Sequence, residues 1–247
     1  MNKIQVQFLG SGDAFGSGGR LQPCICVKTA ETRFIIDCGA TTLIAMRRYG
    51  IDPNDVDMIL LSHLHGDHFC GIPFFVLDAQ LVSKRTKPLL IAGPGGTKQK
   101  VAMLMEIMFP GSSEVQRKFP VDIMELQPEQ TQILAGVTVT PYPVVHTTAD
   151  DSFALRIECS GQKLAYTGDT EWTDALIPAC QGVDLLIAEA YYYEKKIKYH
   201  LDYQSLMARM PDIRPQRLVI THMGADMLLQ VSRVECEYAE DGKMIAW

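Results

Sequence analysis

The stretch Ser62-His63-Leu64-His65-Gly66-Asp67-His68 decides how this chain is read. It has the form HxHxDH, with three imidazoles and one carboxylate in a single short run. Neutral imidazoles and carboxylates are good ligands for Zn²⁺ and similar divalent ions. Met58–Leu61, just ahead of it, is a short apolar run of the buried-strand type. His63 and His65 are two apart, so on an extended strand end they project to the same side. Gly66 turns the chain, which lets Asp67 and His68 point at a second ion. The competing reading is a hydrophilic loop of hydrogen-bonded, non-ligating histidines. A lone histidine would favour that reading, and a cluster this dense favours a metal-binding loop.

Outward from this loop, other polar residues fall just past apolar strand-like runs. Arg33–Asp37 ends on Asp37. Val137–Val145 precedes His146, Lys163–Thr167 precedes Asp169, Leu185–Ala188 precedes Glu189, and Leu218–Thr221 precedes His222. Layered α/β sheets place their sites past strand ends, so His146, Asp169 and His222 could each reach one sheet edge. The remaining pattern alternates between the two periods. Lys3–Leu9, Cys24–Lys28 and Leu89–Ala92 read as strands, and 121–159 as strands and turns. Thr41–Tyr49, Ile72–Ser83, a segment opened by Pro94 and running through Met108, Ser205–Met210 and Ala225–Val231 read as helices. Strands mixed with helices imply a layered α/β architecture.

Composition narrows the class. Of 247 residues, 47% are hydrophobic and 21% charged, close to globular averages, which excludes a disordered or collagenous chain. No apolar run approaches the roughly 18 residues of a membrane-spanning helix, so no membrane partner is expected. The net charge of −6 disfavours nonspecific binding to nucleic-acid phosphates. It leaves open a small phosphate ester bound at a metal. The N-terminus runs from Met1 straight into a strand-like segment with no apolar leader, and a cytoplasmic location is expected. Seven cysteines without a CxxC pair point to reduced thiols rather than a disulfide framework. No repeat or Gly/Ser/Pro-rich linker divides the chain, which reads as one domain, 1–247.

Ile35-Ile36-Asp37-Cys38-Gly39, the HLHGDH run at 63–68, His146, Thr167-Gly168-Asp169-Thr170 and Thr221-His222-Met223 fall in the order of the metallo-β-lactamase superfamily. The chain resembles that superfamily over nearly its whole length. The resemblance implies an αββα sandwich, two mixed β-sheets packed face to face with helices on the outer faces, and a metal site at one edge. It also implies two divalent ions. His63, His65 and His146 would hold one, Asp67, His68 and His222 the other, and Asp169 would bridge them. Asp37 resembles a carboxylate that orients the ligands, and its alternative is an ordinary strand-end turn. Donors without cysteine suit Zn²⁺ first, and also Mn²⁺ or Fe²⁺.

Within the superfamily, Gly66 stands where diiron members usually carry Glu, and Asp169 where lactamases carry Cys. Phe8–Gly16, Ile91–Gly96 and Tyr166–Thr170 resemble the ribonuclease Z-like branch and related small phosphodiesterases. That resemblance gives roles to two further residues. His200, in Tyr199-His200-Leu201-Asp202, would be the general acid that protonates the leaving oxygen, because an alkoxide leaves phosphorus poorly without a proton. Glu189 would tune it. Asp67 would be both ligand and part of the catalytic centre. The alternative for His200 is an exposed loop histidine beside Lys195, Lys196 and Lys198.

The activity so implied is a phosphodiesterase with a metal-bound hydroxide as nucleophile. Its substrate would be small: a cyclic nucleotide, a cyclic phosphate or a short oligonucleotide. A carboxylic ester, lactone or thioester hydrolase on the same site is the first alternative, and a metal-binding protein without turnover the second. Only 22 residues separate His146 from Asp169, too few for the long arm that grips tRNA, so tRNA is not the expected partner. A homodimer is implied by the resemblance alone.

Other features have plainer readings. The Gly-rich run from Gly10 to Gly19 lacks a phosphate-loop lysine and reads as a turn lining the site. Gly93-Pro94-Gly95-Gly96 reads as a strand-to-helix turn. Met103, Met105 and Met108 read as core packing, with a dimer face as the alternative. The tyrosines at 191–193 read as packing, with a pocket wall as the alternative. Cys24 and Cys26 point to one side of a strand, as packing or as a structural metal pair.

Overall fold

In the computed structural model, residues 4–147 and 151–246 are described. Lys3, where the sequence reading began its first strand, lies outside them. Strands β1 (Gln5–Gly10), β2 (Cys24–Lys28), β3 (Arg33–Ile36), β4 (Met58–Leu60), β5 (Leu89–Gly93) and β6 (Val121–Glu125) build the first sheet. Strands β7 (Gln132–Leu134), β8 (Val137–Pro143), β9 (Phe153–Cys159), β10 (Gln162–Tyr166), β11 (Leu185–Glu189), β12 (Leu218–Thr221) and β13 (Glu237–Tyr238) build the second. Strand β14 (Met244–Ala246) returns to the first sheet beside β1. The spatial orders are β14-β1-β2-β3-β4-β5-β6 and β13-β12-β11-β10-β9-β8-β7. Each sheet is mixed. β3 to β6 are parallel in the first, and β10 to β13 in the second, with antiparallel pairs on the other side.

Strand alternation sorts the side chains between two apolar layers. Val6, Phe8, Ile25, Val27, Phe34, Ile36, Met58 and Leu60 meet Leu155, Ile157, Leu164, Tyr166, Ile187 and Val219 in the core between the sheets. The alternate residues Cys24, Cys26, Ile35 and Ile59 face the other way. Helices α1 (Thr42–Arg48), α3 (Ile72–Leu81) and α4 (Thr97–Met108) cover that face; α2 (Gly66–Phe69) lies between α1 and α3. On the second sheet, Ala165, Leu186, Ala188 and Ile220 pack under α5 (Leu176–Cys180), α6 (Tyr203–Ala208), α7 (Met210–Ile213) and α8 (Ala225–Leu228). Near-continuous apolar strands are what burial on both faces requires. The result is the expected αββα sandwich of two mixed sheets. Among the described residues no helix is long and apolar enough to cross a membrane.

Helix ends differ from the sequence reading for local reasons. α4 begins at Thr97, three residues after Pro94, because Gly96 turns into the left-handed region at φ 85°. α6 starts at Tyr203, with the Asp202 side chain accepting from the Ser205 amide at 2.9 Å. The helix expected over Ala225–Val231 stops at Leu228 and resumes as a 3₁₀ turn at Val231–Arg233. The Gly66–Asp67–His68 stretch, read as a loop, is a helical turn.

Of the three methionines, Met105 is buried in the core under α4, while Met103 is exposed. Cys24 and Cys26 lie in the apolar layer, and all seven cysteines are free. Tyr193 is buried and packs ring to ring on Tyr203 at 5.4 Å.

Candidate metal centre

Strand direction brings the polar residues together. β3, β4, β8, β10, β11 and β12 all end at one edge of the sandwich, and beyond them lie Asp37, the 62–68 segment, His146, Asp169, Glu189 at the last position of β11, and His222. Asp37 and His222 leave their strands at φ 61° and 55°. This left-handed backbone is costly for a residue with a Cβ and tends to mark functional turns.

Three groups of close donors result: His63, His65 and His146; Asp67, His68, Asp169 and His222; and Asp169, Glu189, His200 and His222. Within each, one donor atom per residue lies within 4.8 Å of all the others. All six histidines of the chain are in these groups. Asp169 is central. Its Oδ2 lies 3.2 Å from His222 Nε2, 3.3 Å from His68 Nε2, 3.8 Å from His146 Nε2 and 4.0 Å from His63 Nε2. Asp67 Oδ2 stands 3.1 Å from His68 Nε2 and 3.3 Å from His222 Nε2.

The outer nitrogens of His63, His68 and His146 are fixed by acceptors, whereas His222 Nδ1 has no hydrogen-bond partner. His146 Nδ1 donates to the Tyr199 carbonyl at 2.8 Å. A carbonyl can only accept, so the proton sits on Nδ1 and the Nε2 lone pair faces inward. His68 Nδ1 donates to Asp37 Oδ2 at 2.7 Å. The Ser62 hydroxyl spends its proton on Asp37 and so accepts from His63 Nδ1 at 3.0 Å. Asp37 also accepts from the Ser62 amide at 2.8 Å. His65 presents Nδ1, 2.8 Å from His146 Nε2. The inward atoms His63 Nε2, His68 Nε2 and Asp169 Oδ1 are buried with no hydrogen-bond partner. Buried polar atoms are rarely left unpaired. Donor atoms converging on one space, several of them oriented by outer hydrogen bonds, match the donor set that divalent ions require.

The electrostatics agree. Burial opposes ionisation of Asp169, but the His222 and His68 charges hold it well below the usual carboxylate range. Asp67 is lowered in the same way, against burial, by the His68 charge and by the His222 hydrogen bond. Burial also opposes charge on His222, yet the Asp169 charge and the Asp67 hydrogen bond push it up to about 9. Against burial, Asp169, Asp67 and Asp37 raise His68. Burial lowers His146 to about 4, and burial with the His68 charge lowers His63. The concentrated negative charge in this space therefore favours positive charge on His68 and His222.

His200 lies at the rim. Its Nδ1 hydrogen-bonds Glu189 Oε1. Glu189 is wholly buried, and its Oε2 accepts from the Thr170 and Leu201 amides, each at 3.0 Å. Burial and the Asp169 charge raise the Glu189 pKa. His200 is raised because the Glu189 hydrogen bond and charge outweigh its own burial. It is half-buried, while Lys195, Lys196 and Lys198 are exposed. Several supporting contacts had no sign in the sequence. The Glu171 carboxylate takes the Tyr199 amide at 3.0 Å, and Tyr199, at φ 71°, turns its carbonyl to His146.

The family described as Anti-Pycsar protein Apyc1 matches residues 4–245. The chain belongs to this family. The Apyc1-family chain is also similar to a ribonuclease Z of Methanococcus maripaludis, 31% identical over 156 residues. That match covers 62% of this chain and 49% of the relative, so it spans about half the length of the curated protein. A metallo-β-lactamase fold protein from Bacillus subtilis superposes with a TM-score of 0.81 at 19% identity, covering 100% of both chains. The short form of human tRNase Z superposes with a TM-score of 0.79 at 26% identity, covering 98% of each. The Apyc1-family chain thus has the metallo-β-lactamase fold and belongs with the ribonuclease Z-like branch.

Proposed function

We propose that this Apyc1-family protein is a metal-dependent phosphodiesterase that acts on a small phosphodiester, with His200 as its general acid. The observation that carries this reading is the Glu189–His200 pair beside the His/Asp cluster. An ester hydrolase has less need of a proton donor at that position, whereas an alkoxide leaving phosphorus needs one.

The proposed ligands are His63, His65 and His146 for one ion and Asp67, His68 and His222 for the other, with Asp169 shared. When bound, a pair of divalent ions polarises a phosphoryl oxygen and supplies a nucleophile near neutral pH. Zinc is the expected ion, and manganese or iron suits the same donors. Asp37 holds His68 directly and His63 through Ser62. Glu189 keeps a proton on Nδ1 of His200, leaving Nε2 to deliver its proton to the leaving oxygen.

A small substrate is supported by the segment between His146 and Asp169. It holds β9 and β10, paired antiparallel across a two-residue turn at Ser160-Gly161. The net charge of −6 also suits a compact anion neutralised at metals better than a long polyanion. A cyclic nucleotide, a cyclic phosphate or a short oligonucleotide fits that description. The reading treats the chain as one domain, supported by a core shared between the two sheets. It includes a homodimer, for which the exposed Met103 and Ile107 of α4 offer an apolar face.

The test is hydrolysis of bis(p-nitrophenyl) phosphate and of a phenyl phosphodiester by metal-analysed protein, beside His200→Ala. Turnover is expected, with a kcat loss of about 10²-fold or more in the variant on the phenyl ester. Hydrolysis of carboxylic esters alone, with both ions bound, would contradict the reading.

A further inference from the structure

Tyr191 lies two residues past Glu189, and its ring covers His200 with centroids 4.7 Å apart and planes tilted by 31°. The His200 ring also meets His146 edge-on at 5.0 Å and lies nearly parallel to His222, with centroids 5.9 Å apart and planes tilted by 13°. The imidazole is therefore held among three rings, with Nδ1 tied to Glu189 and Tyr191 the nearest of the three.

Tyr191 is itself anchored from several directions. Its amide donates to the Leu201 carbonyl at 2.8 Å, and its carbonyl accepts from the Gly224 amide at 3.0 Å. A Cβ at Gly224 would come within 3.2 Å of the Tyr191 ring, so glycine there lets the ring sit where it does. The phenol is close enough to feel the charge of Asp13, a wholly buried carboxylate in the Gly-rich turn. Asp13 is fixed in turn by the Ser17 amide at 2.8 Å and the Ser17 hydroxyl at 2.7 Å. Burial and the Asp13 charge push the Tyr191 phenol up to about 12, so it stays a hydrogen-bond donor across the working pH range. The same turn reaches the metal cluster, because the His222 amide donates to the Ser11 carbonyl at 3.3 Å.

We propose that Tyr191, anchored through its backbone and set against Asp13, is a positioning residue that sets the plane of the His200 imidazole and so the direction in which Nε2 offers its proton. This rests on the reading of His200 as general acid. Ring contacts, the nearest from Tyr191, confine the imidazole that Glu189 alone would leave free to pivot about its Nδ1 bond. Asp13 thus ties the N-terminal Gly-rich turn to the proton donor. A donor held off-line loses most where the leaving group is poorest, since small misplacements at a reacting centre cost large factors in rate.

The experiment uses the zinc-loaded protein with wild type, Tyr191→Phe, Tyr191→Leu, Asp13→Asn and His200→Ala. Kinetics are measured on a series of aryl phosphodiesters running from p-nitrophenyl to unsubstituted phenyl. His200→Ala should lose more kcat as the leaving phenol becomes more basic. Tyr191→Phe and Asp13→Asn should follow the same trend more weakly, by about tenfold on phenyl and little on p-nitrophenyl, with KM and metal content unchanged. Independently of turnover, the His200 Cε1–H resonance is read by NMR and assigned from its loss in His200→Ala. It should move downfield when Tyr191→Leu removes the ring above it, and shift in the same direction in Asp13→Asn. A selective loss in His200→Ala, with an unmoved resonance and no leaving-group trend in the Tyr191 and Asp13 variants, overturns the positioning role alone. The absence of a leaving-group trend in His200→Ala itself overturns the general-acid reading, and the positioning role with it.

Discussion

The backbone carbonyl of Tyr199 stands 2.8 Å from Nδ1 of His146. The segment that carries His200 therefore also fixes the tautomer of a candidate ligand 53 residues away. Tyr199 is held in the left-handed region, and the Glu171 carboxylate keeps it there through its amide. Outer hydrogen bonds of this kind typically cost ten- to a hundredfold in metal affinity when removed. Glu171→Ala is expected to weaken binding of one ion by about that factor, read by competition with a chromogenic chelator. Unchanged affinity for both ions would show that Tyr199 does not need its anchor.

Metal binding should displace protons. His222 is pushed up to about 9 by Asp169 and Asp67 against its own burial, and His68 is raised by Asp169, Asp67 and Asp37. Both are thus charged at pH 7 in the metal-free protein and must be neutral to act as ligands. His63 and His146 are lowered and are already neutral there. Titration calorimetry at pH 7 in buffers of different ionisation enthalpy is expected to report about two protons released. Affinity should rise with pH from neutral through about 9. Binding heats independent of the buffer would contradict this charge assignment.

Gly39 is a third point of leverage. A Cβ there would lie 2.3 Å from the Asp67 carbonyl and 2.6 Å from Gln22 Cβ, too close for any real side chain. Asp67 lies in the helical turn that presents His68. Gly39→Ala should destabilise the fold by about 1–3 kcal/mol, as overpacking does, seen as a lower denaturant midpoint. It should also weaken the ion held by Asp67, His68 and His222. Full stability and full metal content in the variant would mean that the two strand-end turns are not packed as described.

The central features were legible in sequence because they are local. Apolar strands buried on both faces announce themselves by continuity, and His63, His65, Asp67 and His68 are adjacent in the chain. His146, Asp169 and His222 stand out because each breaks an apolar run at its end. What could not be read has no local signal. The turn at Gly66–Phe69 is shorter than two helical periods, so periodicity cannot reveal it. Tyr199 acts through a carbonyl that every residue possesses. Asp13 meets Tyr191 only because β1 and β11 end at the same edge of the sandwich. Glu171 lacks even a strand end to mark it.

The account stands most directly on the metal count and positions. Protein purified with zinc should be analysed for metal per chain, and the ions placed by anomalous diffraction at the zinc edge. The account predicts two ions, one among His63, His65 and His146 and one among Asp67, His68 and His222, with Asp169 between them. A single ion in a fully folded, zinc-saturated chain, or ions bound away from Asp169, would contradict it.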